Sequence, residues 1–259
     1  MKVTIVGSGN VAEIFANEVR CADGIELVEI CARNEIRGRA LAKAVGCLWV
    51  REPEDVSPAD LYLIAVKDSA IEEVSSRLMA SESSVVAHMA GGVQLDSLRS
   101  RTPHRGVLYP LQTFTAGRQI ALDLVPLLVE AATDHARRTL MKLAESLSGT
   151  VMEIDSTKRV AIHAAGAMSC NFTNHLLHLS ARLLHDEGIP FTILEPLVNE
   201  TVRKAFSVAD PAEVQTGPAV RHDMDTISKH LQLLAKQNEN YSKIYKTISD
   251  SIWETSKKI

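Results

Sequence analysis

Cysteine, long apolar runs and an excess of either charge are all scarce in this sequence of 259 residues. The four cysteines, Cys21, Cys31, Cys47 and Cys170, share no paired spacing, and three fall inside apolar strand or helix patterns. That excludes a disulfide scaffold and reads as reduced core thiols. No apolar run approaches the roughly 20 residues of a membrane span, and no charged segment with an apolar core stands at the start, so a soluble, cytoplasmic protein is expected. The formal net charge is -4 with both signs interspersed. No basic face exists for nucleic acid and no polybasic patch for a membrane, which leaves small-molecule ligands as the expected partners. Internal repeats, low-complexity tracts, metal-ligand clusters and a Ser-His-Asp arrangement are also missing. The length suffices for two modest domains, each with its own core.

What is present begins at the first residue. Lys2 to Val6 branch and alternate as a buried strand does, and Gly7-Ser8-Gly9-Asn10-Val11-Ala12 then leads into a helical run. This is a GxGxxA fingerprint in the position where it binds a dinucleotide. Gly7 takes the tight turn, Gly9 keeps side-chain atoms away from a pyrophosphate, and Ala12 lets the helix lie close to the strand. First-turn amides and the helix dipole then face the diphosphate. A second strand, Glu26 to Cys31, ends about twenty residues after Ala12, as the motif requires. Beyond it stands Arg33, where an acidic residue would bind a free ribose and an arginine accommodates a 2′-phosphate. NADP, in its reduced form NADPH, is therefore the expected cofactor. Arg37 and Arg39 either add to this cation or only solvate a surface helix.

Further along, the helix Glu35 to Val45 ends at Gly46, which suits a left-handed cap. Leu61 to Val66 reads as a central parallel strand buried on both faces. Ligands in such sheets bind beyond the carboxyl ends of the strands, which places Ala65, Val66 and Lys67 along the cofactor; Lys67 fits solvent equally well. Asp68 or Ser69 is expected to cap the next helix. The strand Ser84 to Ala87 delivers His88 before Ala90-Gly91-Gly92, and His88 suits either a contact to the nicotinamide or a satisfied strand end. Strands at Gly106 to Tyr109, Val125 to Glu130 and Thr150 to Ile154, with a helix Asp134 to Leu147, complete an α/β alternation that implies a mostly parallel, doubly wound sheet.

From Ser156 the strands cease, which sets a domain boundary at 155/156: residues 1–155 bind the nucleotide, and residues 156–259 form an all-α domain. A helical stretch runs to Glu187, stopped by Gly188 and Pro190. His163, Asn171 and Asn174 recur on one face of it. Thr192 with Glu195, and Asp210-Pro211 with Glu213, read as capping boxes. Thr216 to Asp223, including Arg221, is either a ligand-holding turn or a plain loop. Ile227, Leu231, Leu234, Asn238, Tyr241, Tyr245, Ile248 and Ile252 form one heptad-type seam on a single last helix, packed within the chain or across a homodimer.

On the fingerprint, Ala-Val-Lys-Asp, Ala-Gly-Gly after His88, Pro110-Leu-Gln-Thr-Phe, the Lys158 to His163 to Asn171 run and Thr216-Gly-Pro with Arg221, Asp223 and His230, the chain resembles the β-hydroxyacid dehydrogenase and pyrroline-5-carboxylate reductase superfamily. Within it, the likeness is to Rossmann-type NADP oxidoreductases with a helical C-terminal domain of unknown function. Relatives of that group commonly carry a histidine where this chain has Tyr109, and Lys158 lies in the region of the dehydrogenases' catalytic lysine at a different spacing from Asn171. The resemblance implies an NADPH-dependent oxidoreductase reducing a small carbonyl or imine in a cleft between the domains. His163 would donate the proton, Asn171 would orient the substrate, His88 would meet the nicotinamide, and Thr216, Arg221 and Asp223 would close the pocket. Two other readings share the fingerprint: hydride exchange between NADP and a deazaflavin, and an NADP-responsive binding protein without turnover.

Overall fold

The computed structural model describes residues 1–118 and 120–259. These fall into two compact units, Met1–Ala167 and Met168–Ile259. The pattern of elements changes at Asp155, whereas the division into units comes one helix later.

In the first unit eight strands form one sheet: β1 (Lys2–Val6), β2 (Glu26–Cys31), β3 (Leu48–Val50), β4 (Leu61–Ile64), β5 (Val85–His88), β6 (Arg105–Pro110), β7 (Leu127–Ala131) and β8 (Val151–Glu153). Their order is β3-β2-β1-β4-β5-β6-β7-β8. The first six run parallel; β7 turns back against β6, and β8 follows β7. The order reverses between β1 and β4, so a crevice opens at their carboxyl ends. Helices α1 (Asn10–Val19), α2 (Glu35–Val45), α3 (Ile71–Arg77), α4 (Asp134–Leu147) and α5 (Ser156–Gly166) complete the unit.

The two-residue period of a strand divides the core. On β4, Leu61 and Leu63 join a cluster with Phe15, Ala16 and Val19 of α1, while Tyr62 and Ile64 join Ile71, Val74 and Leu78 on the other side. All four are buried, as the unbroken apolar run predicts. Ala12 is fully buried, so nothing larger separates α1 from the sheet. The α2 boundaries follow the capping rules: the Asn34 side chain accepts from the Arg37 N–H, and Gly46 is left-handed at φ 74°. The start of α3 does not. A tight turn, Asp68–Ala70, intervenes, closed by Ala70 N–H donating to the Lys67 carbonyl at 2.8 Å, and neither Asp68 nor Ser69 caps the helix.

The second unit is helical. A π-helical segment, Ala167–Phe172, leads into α6 (Thr173–Asp186), followed by α7 (Glu195–Ala205), α8 (Met224–Gln237) and α9 (Glu239–Ser256). The seam expected on one last helix is shared by two. The chain is extended at Asn238 (φ -162°, ψ 127°), whose side chain accepts from the Asn240 N–H and caps α9. Since α8 and α9 pack on each other, the apolar period survives the break. The Thr192–Glu195 box is replaced by a 3-10 turn, Phe191–Leu194, with Pro196 in the first turn of α7. Asp210 does cap, but only a short 3-10 turn, Pro211–Val214. Among the described residues, no helix is long and apolar enough to cross a membrane.

Gly7 has φ +139°, and a Cβ there would lie 2.2 Å from the Ala65 carbonyl oxygen; at Gly9 a Cβ would meet no protein atom within 4 Å. Gly7→Ala is therefore expected to cost at least about 1–3 kcal/mol of stability. Gly9→Ala should stay within roughly 0.5 kcal/mol of the parent. Urea unfolding of the two variants measures both.

Candidate active site

A cavity of about 750 Å³ lies within the first unit, at the carboxyl ends of β1, β2, β4 and β5. Gly7, Ser8, Gly9, Asn10 and Val11 line it after β1, Arg33 after β2, and Ala65, Val66 and Lys67 after β4, so the residues expected along the nucleotide, His88 excepted, share this one concavity. The turn at Gly7 is held by its N–H donating to the Cys31 carbonyl at 2.8 Å. Asn10 Nδ2 donates to the Phe114 carbonyl at 3.1 Å, which ties the segment after β6 to the start of α1. The open space at Gly9 matters here. Packing does not require a glycine at that position, so its missing side chain leaves room for a ligand diphosphate against the α1 amides.

At one end the cavity is cationic. Arg33, Arg37, Arg51 and Arg77 all line it. Arg77 is committed to Glu52 and Glu54 at 2.7 and 2.6 Å, and Arg51 lies 3.7 Å from Glu35. Arg33 and Arg37 have no carboxylate partner among the described residues. Arg39, the third cation of the sequence pattern, lies elsewhere: it pairs with Glu35 at 2.9 Å and stacks over Trp49 at 4.3 Å. Trp49 Nε1 in turn donates to the Ala32 carbonyl at 3.2 Å, bracing the backbone just before Arg33. The Cys31 thiol on the same wall is pushed up to about 12 by burial and by nearby carboxylates, so it is neutral and inert.

At the other end stand Met89, Ala90, Gly91 and His163. His163 Nδ1 lies 3.0 Å from the Tyr109 hydroxyl, and the two rings meet edge to face. A Cβ on Gly91 would fall 2.4 Å from His163 Nδ1 and 2.7 Å from Tyr109 Cζ, so only glycine fits between them. Beneath this pair is Arg159, fully buried. Its guanidinium donates to both the Ala90 and Gly91 carbonyls at 3.1 and 2.8 Å, to Glu130 Oε2 at 3.0 and 3.2 Å, and to Ser156 Oγ at 3.1 Å. Ser156 closes the network by donating to Glu130 Oε1 at 2.6 Å.

Other expected residues are not among those that line this cavity. His88 is fully buried in β5, its Nδ1 accepting from the Ala90 N–H at 3.1 Å. Burial and then the Arg159 charge push it down to about 4, so it is a neutral core group and does not line the cavity. Asn171, Thr216, Arg221 and Asp223 belong to the second unit. Asn171 is exposed in the π-helical segment, and Thr216 and Arg221 are exposed in the turn before α8. Asp223 is occupied as the cap of α8: its carboxylate accepts from the Thr226 N–H and hydroxyl at 3.1 and 2.8 Å, which hold its pKa below the usual carboxylate range. Sequence reasoning passed over Arg159 and Glu130. The available signal was an arginine four residues before His163, hence on its face, in a helix otherwise rich in alanine.

Comparison with known proteins gives the family. Residues 2–91 match the family described as "NADP oxidoreductase coenzyme F420-dependent", and residues 125–252 match the domain of unknown function DUF2520. The crystal structure of "putative NADP oxidoreductase BF3122" from Bacteroides fragilis is similar over 98% of each chain, with 34% identity and a TM-score of 0.88. The chain belongs to this NADP oxidoreductase family. The oxidoreductase also shares its fold with 1-pyrroline-5-carboxylate reductase from Streptococcus pyogenes (17% identity, 100% and 99% of the chains, TM-score 0.61). An imine reductase from Myxococcus stipitatus, solved with NADP+, is similar as well (14% identity, 100% and 93%, TM-score 0.66). Among curated protein sequences no match is found.

Two expectations follow for this oxidoreductase. Arg159→Met leaves Glu130 without its partner at 15% side-chain exposure and should cost about 3–5 kcal/mol, read from urea unfolding. His88 gives a pH signature. Its folded pKa of about 4 lies below the ordinary 6.5, so the unfolded chain takes up a proton that the folded chain refuses, and stability falls as pH drops through 6.5 toward 4. Between about pH 7 and about pH 5 the parent should lose about 2 kcal/mol more than His88→Asn.

Proposed function

We propose that this oxidoreductase is an NADPH-dependent reductase of a small carbonyl or imine. The observation that carries the reading is one cavity, running from two arginines without a carboxylate partner among the described residues, past a glycine turn kept free of side chains, to His163, which contacts Tyr109. In this reading Gly7 to Val11 hold the diphosphate, and Arg33 with Arg37 take the 2′-phosphate as charge-assisted partners. Lys67 and the Met89–Gly91 backbone flank the nicotinamide, which supplies hydride when bound. His163 then supplies the proton to the acceptor heteroatom, where negative charge develops during reduction. Histidine suits this work because its charge changes near neutral pH.

A second acceptor class deserves the same assay, because the family description matched by residues 2–91 names a deazaflavin coenzyme. We further propose a homodimer through the second unit. Leu197 and Phe206 on and just after α7 are 65% and 89% exposed, and Met168 and Phe172 beside α6 are 66% and 59% exposed; a second copy would cover such a surface.

Nicotinamide fluorescence should show NADPH binding at least about tenfold tighter than NADH, since a lost charge-assisted contact is worth about 1.5–3 kcal/mol. Arg33→Asp should weaken or reverse that preference. Equal affinities would remove the 2′-phosphate role, and no binding of either would remove the cofactor reading. Imine, carbonyl and deazaflavin acceptors tested with the bound protein then separate the acceptor classes, and His163→Ala should cut turnover by about 100-fold or more. Light scattering in line with gel filtration should return twice the chain mass.

A further inference from the structure

The Tyr109–His163 contact has a chemical consequence for the donor nitrogen. We propose that Tyr109 is a positioning residue: its phenol occupies His163 Nδ1, sets the neutral imidazole as the Nε2–H tautomer, and leaves Nε2 as the nitrogen that faces the acceptor; the proton is given up from the doubly protonated ring, which keeps its Nδ1 hydrogen against the phenol oxygen. This rests on the reading of His163 as the donor in the reductase site.

The geometry supplies each step. The hydroxyl lies 3.0 Å from Nδ1, and the rings meet at 70° with centroids 5.8 Å apart, so the phenol reaches the edge of the imidazole. Burial pushes the phenol above its ordinary pKa, with Arg159 opposing and Asp68 adding to the shift, so the group stays a hydroxyl. Among the described residues its oxygen has no other hydrogen-bond partner. In this proposal the phenol donates to that neighbour, and an imidazole nitrogen that accepts carries no hydrogen. The hydrogen of the neutral ring therefore sits on Nε2. That atom has no hydrogen-bond partner among the described residues; it lies 4.0 Å from the point a Gly92 Cβ would occupy, as does Asp68 Oδ2. Both His163 and Asp68 line the cavity.

The ring cannot easily turn over. Gly91 packs against Nδ1 and Cγ with no room for a methyl group, and its carbonyl is held at 2.8 Å by the buried Arg159, one helical turn before His163. The floor is thus fastened to the helix that carries the ring, and the hydroxyl selects which nitrogen is bare. Substituting phenylalanine keeps the packing and deletes only that selection.

The test is nitrogen NMR of the full chain labelled at the imidazole nitrogens, with the His163 signals assigned by their loss in His163→Gln. With its ring neutral, wild-type His163 should show one tautomer, hydrogen on Nε2 and Nδ1 bare. Tyr109→Phe should show both tautomers. With an accepted substrate, kcat of Tyr109→Phe should fall about tenfold or more while KM for NADPH stays put, as expected for a donor whose aim is lost. A wild-type ring carrying its hydrogen on Nδ1, or an unchanged tautomer in Tyr109→Phe, overturns the proposal. The NMR result needs neither cofactor nor substrate, so failure of NADPH to bind would remove the reductase reading and leave the tautomer question separately answered.

Discussion

The approach of β1 to β4 is the constraint on which the rest of the first unit depends. Gly7 leaves β1 in a conformation that side chains resist, with the Ala65 carbonyl where its Cβ would be. That contact brings the ends of two neighbouring strands together at the point where strand order reverses. From it come the direction of α1, the stacking of Ala12 and Phe15 on the sheet, and an open crevice with unused amides on one side. A bulkier residue would push the two strand ends apart and disturb the floor of the cavity before any ligand were considered.

Charge is then distributed along the crevice by what each cation is already doing. Glu52 and Glu54 neutralise Arg77, Glu35 and Trp49 occupy Arg39, and Arg33 and Arg37 have no carboxylate partner among the described residues. At the far end Arg159 is the opposite case. It is buried with Glu130, Ser156 and two backbone carbonyls, and its role is to hold backbone in place. A buried ion pair is a poor source of net stability but a strict geometric clamp, because each partner is costly without the other.

Much of this was legible in the sequence where one local rule governed the outcome. The fingerprint, the buried run of β4 and the Asn34 and Gly46 ends of α2 depend on neighbours in sequence, and all appear in the structure. What was not legible depends on contacts distant in the chain. His88 looks like a site residue because it stands at a strand end beside glycines; its burial comes from neighbouring strands and helices. Arg159 looks like one more surface arginine until Glu130 and the Ala90–Gly91 backbone close around it. The break at Asn238 was hidden because helix and turn preserve the same apolar period, and the π-helical segment because its extra residue leaves no compositional trace.

Gly91 ties three positions into a single unit of variation. A methyl group there is barred by His163 on one side and Tyr109 on the other, so an alanine is admissible only in a chain that has first become smaller at 109 or 163. Change at these sites is therefore ordered: the energies of the single substitutions will not sum to that of the pair, and a permissive step at one position must precede the step at another. In descendants of this sequence, the history of the glycine would be written in the size of the two rings that enclose it.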